Sequence, residues 1–285
     1  MDGGVQALSL HPECMVVGTV AHEFMHALGA LHMHMRHDRD KYVKINLKPV
    51  PAKKQENFLK PMRSIEHTPY EYGSDMQYPS DAFAKKQENF LKPMRSIDHT
   101  PYEYGSDMQY PSDAFANYGN SIIPYNERYL RTLGSQTISF YDIRMINWHY
   151  KCNAPCAGIA PKCMNGGAPN PRNCSRCICP FGYGGTLCEK RRAGCGRVFE
   201  ATTKWNSRTI TVGDATVKGI RDTYTTCNDW ITIRVTALRK VDCENGCWRS
   251  SIEPKVMSDK AIISPRICCP GQLNQVLTSR INPTP

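Results

Sequence analysis

The residues best able to do chemistry lie together between positions 22 and 32, in the run HEFMHALGALH. On a helix, His22 and His26 stand one turn apart on the same face, so both imidazoles reach one metal ion while the Glu23 carboxylate stays free beside them. Gly29 can take the left-handed backbone conformation at low cost, which ends the helix and returns the chain so that His32 supplies a third nitrogen. Three protein ligands leave one tetrahedral position of a zinc ion open, the mark of a catalytic rather than a structural site. Water held there is acidic enough to yield a nucleophile near neutral pH. Glu23 is then the expected general base, taking a proton from that water as it attacks a peptide carbonyl and passing it to the leaving amine. Each residue alone has a plainer reading, since a lone histidine is usually a satisfied surface or core side chain and a lone glycine an ordinary helix cap. Five specified positions together arise by chance on the order of once in ten thousand chains of this length, at about one in twenty per position. His34 and His37 miss the spacing fixed by the glycine turn and are read as flanking or solvated side chains.

Positioning these residues requires a helix from Gly18 to Leu28. Val17, Ala21, Phe24 and Leu28 form a stripe at helical spacing opposite the ligand face, which predicts a core surface packed on a sheet. A second amphipathic helix is expected from Ile138 to Tyr150, with Ile138, Ile143 or Tyr141, Ile146 and Tyr150 on one side. Between the two helices lies a repeat: residues 53–84 recur as 85–116 with one change, Glu66 against Asp98. A solenoid needs at least three diverged copies with a core-forming pattern, so this is a duplicated segment rather than a repeat fold. It reads as a recent exon duplication, merged alleles or an assembly slip, with one copy structural and the other a surface insertion.

At 285 residues, 22% charged and 40% hydrophobic, the chain suits two or three globular domains. Its net charge of +10 is spread out, without a dense Lys/Arg tract and interleaved aromatics, which argues against nucleic acid as a partner. Fourteen cysteines, twelve of them after residue 155, point to disulfides and an oxidising compartment. No apolar run is long enough to span a bilayer, and MDGGVQALSL lacks the basic region and long apolar core of a signal peptide.

The zinc motif resembles that of the metzincin metallopeptidases, H-E-x-x-H-x-x-G-x-x-H followed by a methionine turn. Arg36, Asp38, Arg39, Asp40, Tyr42, Val43, Ile45 and Asn46, in RHDRDKYVKIN, and the later YEYGSDMQY make the chain similar to astacins in particular. The resemblance implies an α+β metzincin catalytic domain over residues 1–152 that is partial, because astacins place a secretion signal, a propeptide and much of a twisted sheet before the zinc helix. Val5 to Leu10 would be one strand of that sheet. It also implies that Cys14 and Cys152 lack local partners. Met33 stands where astacins usually carry the glutamate that engages the activated amino terminus. Each copy of the repeat offers a methionine turn, Ser74, Met76 and Tyr78 in the first and Ser106, Met108 and Tyr110 in the second, with Gln77 or Gln109 in place of the usual histidine. The methionine would form an apolar floor under the zinc, and the tyrosine would bind the metal or the oxyanion. The first copy has the more family-like distance from His32. Tyr110 is preferred, because the second copy runs directly into the family-like NYGN segment.

Further resemblances follow downstream. Cys156, Cys163, Cys174, Cys177, Cys179 and Cys188, with NGG and CPFGYGGTLC, look like an EGF-like module over 153–189. Three crosslinks offset the small core such a module can bury. The resemblance implies pairing Cys156 with Cys174, Cys163 with Cys177 and Cys179 with Cys188. Asn173 weakly fits a glycosylation site. Residues 195–285 resemble a CUB domain, an all-β sandwich, with short segments at Thr209 to Val212, Ile231 to Val235 and Ile262 to Ser264. Its bridges would use Cys195, Cys227, Cys243, Cys247, Cys268 and Cys269. The expected function is that of a secreted, zinc-dependent endopeptidase acting on extracellular proteins of matrix or cuticle. Two other readings stay open: a catalytically inactive extracellular binding protein working through the EGF-like and CUB-like modules, and a partial gene product.

Overall fold

The computed structural model describes residues 8, 10, 16–60, 100–194, 209, 235–239, 241–255 and 257–274, with the backbone of 233–234 and 276–277. Helix α1 spans Val17–Ala27 and starts without a side-chain cap. It stops where Gly29 takes φ +89°, with the Gly29 and Ala30 N–H groups closing back onto the carbonyls of His26 and Met25. Its buried face is not the expected one. Met25 is enclosed with Ala30, Met108 and Met145, whereas Phe24 is 55% exposed and Val17 50%. The apolar stripe therefore finds little cover among the described residues. The proposed strand at Val5 to Leu10 falls almost wholly outside them, as does Cys14.

Strand β1 (Val43–Ile45) pairs antiparallel with β2 (Ile122–Pro124), Val43 opposite Pro124. Val43 and Ile122 drop into a core with Met33, Val50, Phe58, Tyr102 and Leu133. Phe58 comes from the 3-10 turn Ala52–Phe58, the opening of the first copy of the repeat. Tyr102 belongs to the second copy, which is described from residue 100 onward. Residues 61–99, including Met76 and Tyr78, lie outside the described part.

Helix α2 runs from Phe140 to His149. Ser139 and Asp142 cap it reciprocally: the Ser139 hydroxyl accepts from the Asp142 N–H at 3.0 Å and the Asp142 carboxylate from the Ser139 N–H at 2.8 Å. The face it buries is Phe140, Tyr141, Asp142 and Met145, with Ile138 and Ile146 packed at its edge; of the two alternatives in the expected stripe Tyr141 is the buried one, and Ile143 is 38% exposed.

Beyond it, strands β3 (Ala168–Asn170) and β4 (Asn173–Ile178) form one hairpin, and β5 (Tyr183–Gly184) and β6 (Lys190–Arg191) another. Disulfides Cys156–Cys174, Cys163–Cys177 and Cys179–Cys188 hold this region, and Cys152 is free.

In the C-terminal region, β7 (Ile233–Arg234) pairs with β8 (Val276–Leu277), and Cys243–Cys269 and Cys247–Cys268 are bridged. Ile262 to Ser264 is not a strand. The Ile263 N–H is given instead to the buried Glu103 carboxylate at 3.0 Å, which takes it out of any ladder. No helix among the described residues is long and apolar enough to cross a membrane.

Residues 241–274 pack directly on the first 152 residues. Arg266 donates to Ser135 Oγ, Thr137 Oγ1 and the Gly246 carbonyl, each at 2.9 Å. Asn245 Oδ1 accepts from Arg131 at 2.9 Å. At Gly246 (φ +82°), a Cβ would stand 2.1 Å from the Gly134 carbonyl oxygen, so only glycine permits this backbone approach.

Candidate metal centre

His22 and His26 project from α1, and the turn at Gly29 swings His32 against them. The Nε2 atoms of His22 and His32 lie 3.2 Å apart, and those of His26 and His32 3.1 Å apart. On their far sides, His22 Nδ1 faces the Asp107 carbonyl at 2.7 Å and His26 Nδ1 the Ala30 carbonyl at 2.8 Å. A carbonyl can only accept, so both Nδ1 atoms carry the proton and both Nε2 atoms present lone pairs inward. His32 can offer at most one proton between them, which leaves a lone pair facing a lone pair. A cation at the centre resolves that conflict. Tetrahedral zinc–nitrogen bonds of 2.0–2.1 Å set ligand nitrogens roughly 3.3–3.4 Å apart, so the observed spacing fits. These three histidines are the metal-competent group found among the described residues. Burial, reinforced by the neighbouring His22, lowers His26 to about 4, and burial holds His32 well below the usual imidazole range. Both are therefore neutral at physiological pH, the form that binds a metal.

Tyr110 lies against the ligands, its ring centroid 4.2 Å from that of His32 and 4.3 Å from that of His34. Burial and then the negative charge of Glu23 push its phenol up to about 12, so near neutral pH it is a donor. Met108 is fully buried with Met25, Ala30 and Met145, and its carbonyl accepts from the Met33 N–H at 2.8 Å. Ser106 Oγ accepts from the Met108 N–H at 3.0 Å and donates to Asp142 at 2.6 Å.

Several contributors escaped the sequence reading. Asp142 also accepts from the Asp107 N–H at 3.2 Å, so the cap of α2 fixes the turn whose Asp107 carbonyl orients His22. The S-x-x-D spacing of Ser139 and Asp142 was the available signal. His34 is fully buried and stacks on His32 at 5.3 Å, with Nε2 donating to the Asn57 carbonyl at 3.0 Å. Arg36 grips Asp38 with two 2.8 Å bonds and donates to the Thr100 carbonyl at 3.0 Å, tying the loop after the ligands to the second copy. Only contacts across the fold, not spacing, could have revealed these last two.

Known proteins align with this site. The family model for the Astacin peptidases matches residues 1–99 and again 88–151, the overlap falling in the duplication. Zinc metalloproteinase nas-32 of Caenorhabditis elegans is 36% identical over 299 residues, and nas-31 of the same organism 38% over 285. They cover 100% and 96% of this chain, which spans 41% of the length of each. High choriolytic enzyme 1, a hatching enzyme zinc-protease of Oryzias latipes, is 30% identical over 47% of this chain and 52% of its own, with a TM-score of 0.33. With matches extending through residue 151, across both helices and the methionine turn, the chain belongs to the astacin family of metallopeptidases.

Proposed function

We propose that this chain is a zinc-dependent endopeptidase that hydrolyses peptide bonds of extracellular proteins. The observation that carries the reading is the convergence of three imidazole nitrogens, two with fixed tautomers, with Tyr110 packed against His32. His22, His26 and His32 would hold the zinc, which supplies Lewis-acid polarisation of water and of the scissile carbonyl. The Glu23 carboxylate takes the proton of the attacking water and delivers it to the leaving amine. The Tyr110 hydroxyl, protonated at working pH, donates to the oxyanion as the carbonyl becomes tetrahedral. Met108 supplies a rigid apolar floor, and Asp142 holds the turn that carries it.

Residues 1–152 are read as the peptidase domain, 153–189 as an EGF-like module and 195–285 as a CUB-like module. The three disulfides between Cys156 and Cys188, the first two interleaved and the third following them, support the second assignment, and their abundance supports secretion into an oxidising compartment. Matrix or cuticle proteins are the proposed substrates. Hydrolysis of casein by the zinc-loaded chain tests the reading. Glu23→Ala is expected to keep the metal and lose hydrolysis; undiminished hydrolysis by that variant would remove Glu23 from the mechanism.

A further inference from the structure

We propose that the cleft beside the histidines is a subsite for a basic side chain of the substrate, walled by residues 243–248 of the C-terminal region; this rests on the peptidase reading above. The cleft has a volume of about 590 Å³, room for a long side chain, and runs from His22 and Tyr110 to Glu244, Asn245 and Trp248. That wall is firmly placed. Asn245 Oδ1 accepts from both Ser112 Oγ at 3.2 Å and Arg131 at 2.9 Å, and two disulfides brace the loop from behind.

The lining chemistry selects for cations. Asp113 and Glu244 bring two carboxylates to the cleft, and Asp107 adds a carboxyl that burial and the neighbouring Asp142 push up to about 8, so near neutral pH it is an uncharged hydrogen-bonding group; the guanidinium lining the cleft, Arg131, is turned onto Asn245. Asp107 is only 5% exposed, and its Oδ2 has no hydrogen-bond partner in the chain. A buried acceptor of this kind is costly unless something donates to it. Glu244 is held at the rim by Arg249, 3.2 Å away. A lysine or arginine of the substrate has donors for these carboxyl groups and an aliphatic stem to lay along Tyr110 and Trp248. An acidic side chain would meet the like charges of Asp113 and Glu244.

Binding separates this from catalysis. The full-length Glu23→Ala chain, loaded with zinc, is titrated with fluorescein-labelled hexapeptides in which one arginine, leucine or glutamate is moved through an alanine background. At one position arginine should bind more tightly than glutamate, and Glu244→Gln should cut that preference about two- to fivefold, the range for a partly exposed ion pair. Glu244→Lys should turn the preference toward glutamate. Asp113→Asn, on an exposed side chain, reads the same preference if Glu244→Lys does not fold. Arginine binding no better than glutamate at any position, or a preference that none of these variants alters, overturns the proposal. If the parent chain cleaves no peptide while Glu23→Ala retains a preference dependent on Glu244, the subsite stands and the peptidase reading falls. If the parent cleaves peptides without regard to arginine and the binding shows none either, the subsite falls alone.

Discussion

Replacing Arg266 with alanine should detach the C-terminal region from the domain that carries the metal ligands. The guanidinium is 6% exposed and makes 2.9 Å bonds to two side chains of the metal-bearing domain, Ser135 and Thr137, and to the carbonyl of Gly246. Its Nε also lies 3.6 Å from Glu253, whose carboxylate would keep Lys255 and the Ser264 backbone. Removing one partner of a buried, hydrogen-bonded charge costs about 3–5 kcal/mol, because the acceptors stay behind desolvated. The backbone N–H of Arg266 would still reach Thr132 Oγ1, so the loss should stay within that range rather than exceed it. Lysine can serve one acceptor but not three in a plane, so Arg266→Lys should fall between parent and alanine. Denaturant unfolding followed by tryptophan fluorescence measures the loss, and limited proteolysis shows whether cleavage after residue 240 accelerates. A loss under about 1 kcal/mol for Arg266→Ala would refute the docking argument, since surface substitutions reach no further than that.

Three more outcomes are expected. Burial pushes the Glu103 carboxyl up to about 8 against the N–H groups of Ile263 and Gly105, so between pH 4.5 and 8 the folded chain keeps a proton that the unfolded chain has lost. Stability should therefore fall as pH rises through that window, by up to about 1.4 kcal/mol per pH unit from this group, and the denaturation midpoints of Glu103→Gln should lose that slope. Excising residues 61–92 keeps 53–60 and 100–116 and rejoins them through 93–99, so a single copy of the repeat remains. Thermal stability should hold or rise on this excision if one copy is the insertion; a marked drop would show that both copies are used. Tyr110→Phe should lower kcat by about a hundredfold or more with KM and zinc content little changed, as expected for a donor to the oxyanion; a change in KM alone would make Tyr110 a packing residue.

What the sequence made legible was local. His22, His26 and His32 announce themselves because a helix period and one glycine turn fix their relation, and both lie within eleven consecutive residues. The disulfides between Cys156 and Cys188 follow the pairing that the EGF-like resemblance implied, which spacing alone does not fix. The helix faces were read less well: Phe24 and Val17 are apolar at helical spacing, yet Met25 takes the buried position because Met108 and Met145 arrive there from far along the chain. Asp142 drew no notice in the sequence, and its grip on Ser106 and Asp107 depends on a fold contact across 35 residues or more. Ile262 to Ser264 has strand composition, but Glu103 claims its N–H from 160 positions away. Spacing carries information over one or two turns, whereas these choices are made by partners that only the tertiary structure brings near.

The most direct test of the metal centre is zinc K-edge X-ray absorption on the full chain loaded with one equivalent of zinc. Three imidazole nitrogens at about 2.0–2.1 Å, with the remaining scattering from oxygen, are predicted, and His32→Ala should remove one nitrogen or the metal itself. Sulfur scattering at about 2.3 Å, which the cysteines of this chain could supply, or fewer than three nitrogens in the parent, would contradict a site built from His22, His26 and His32.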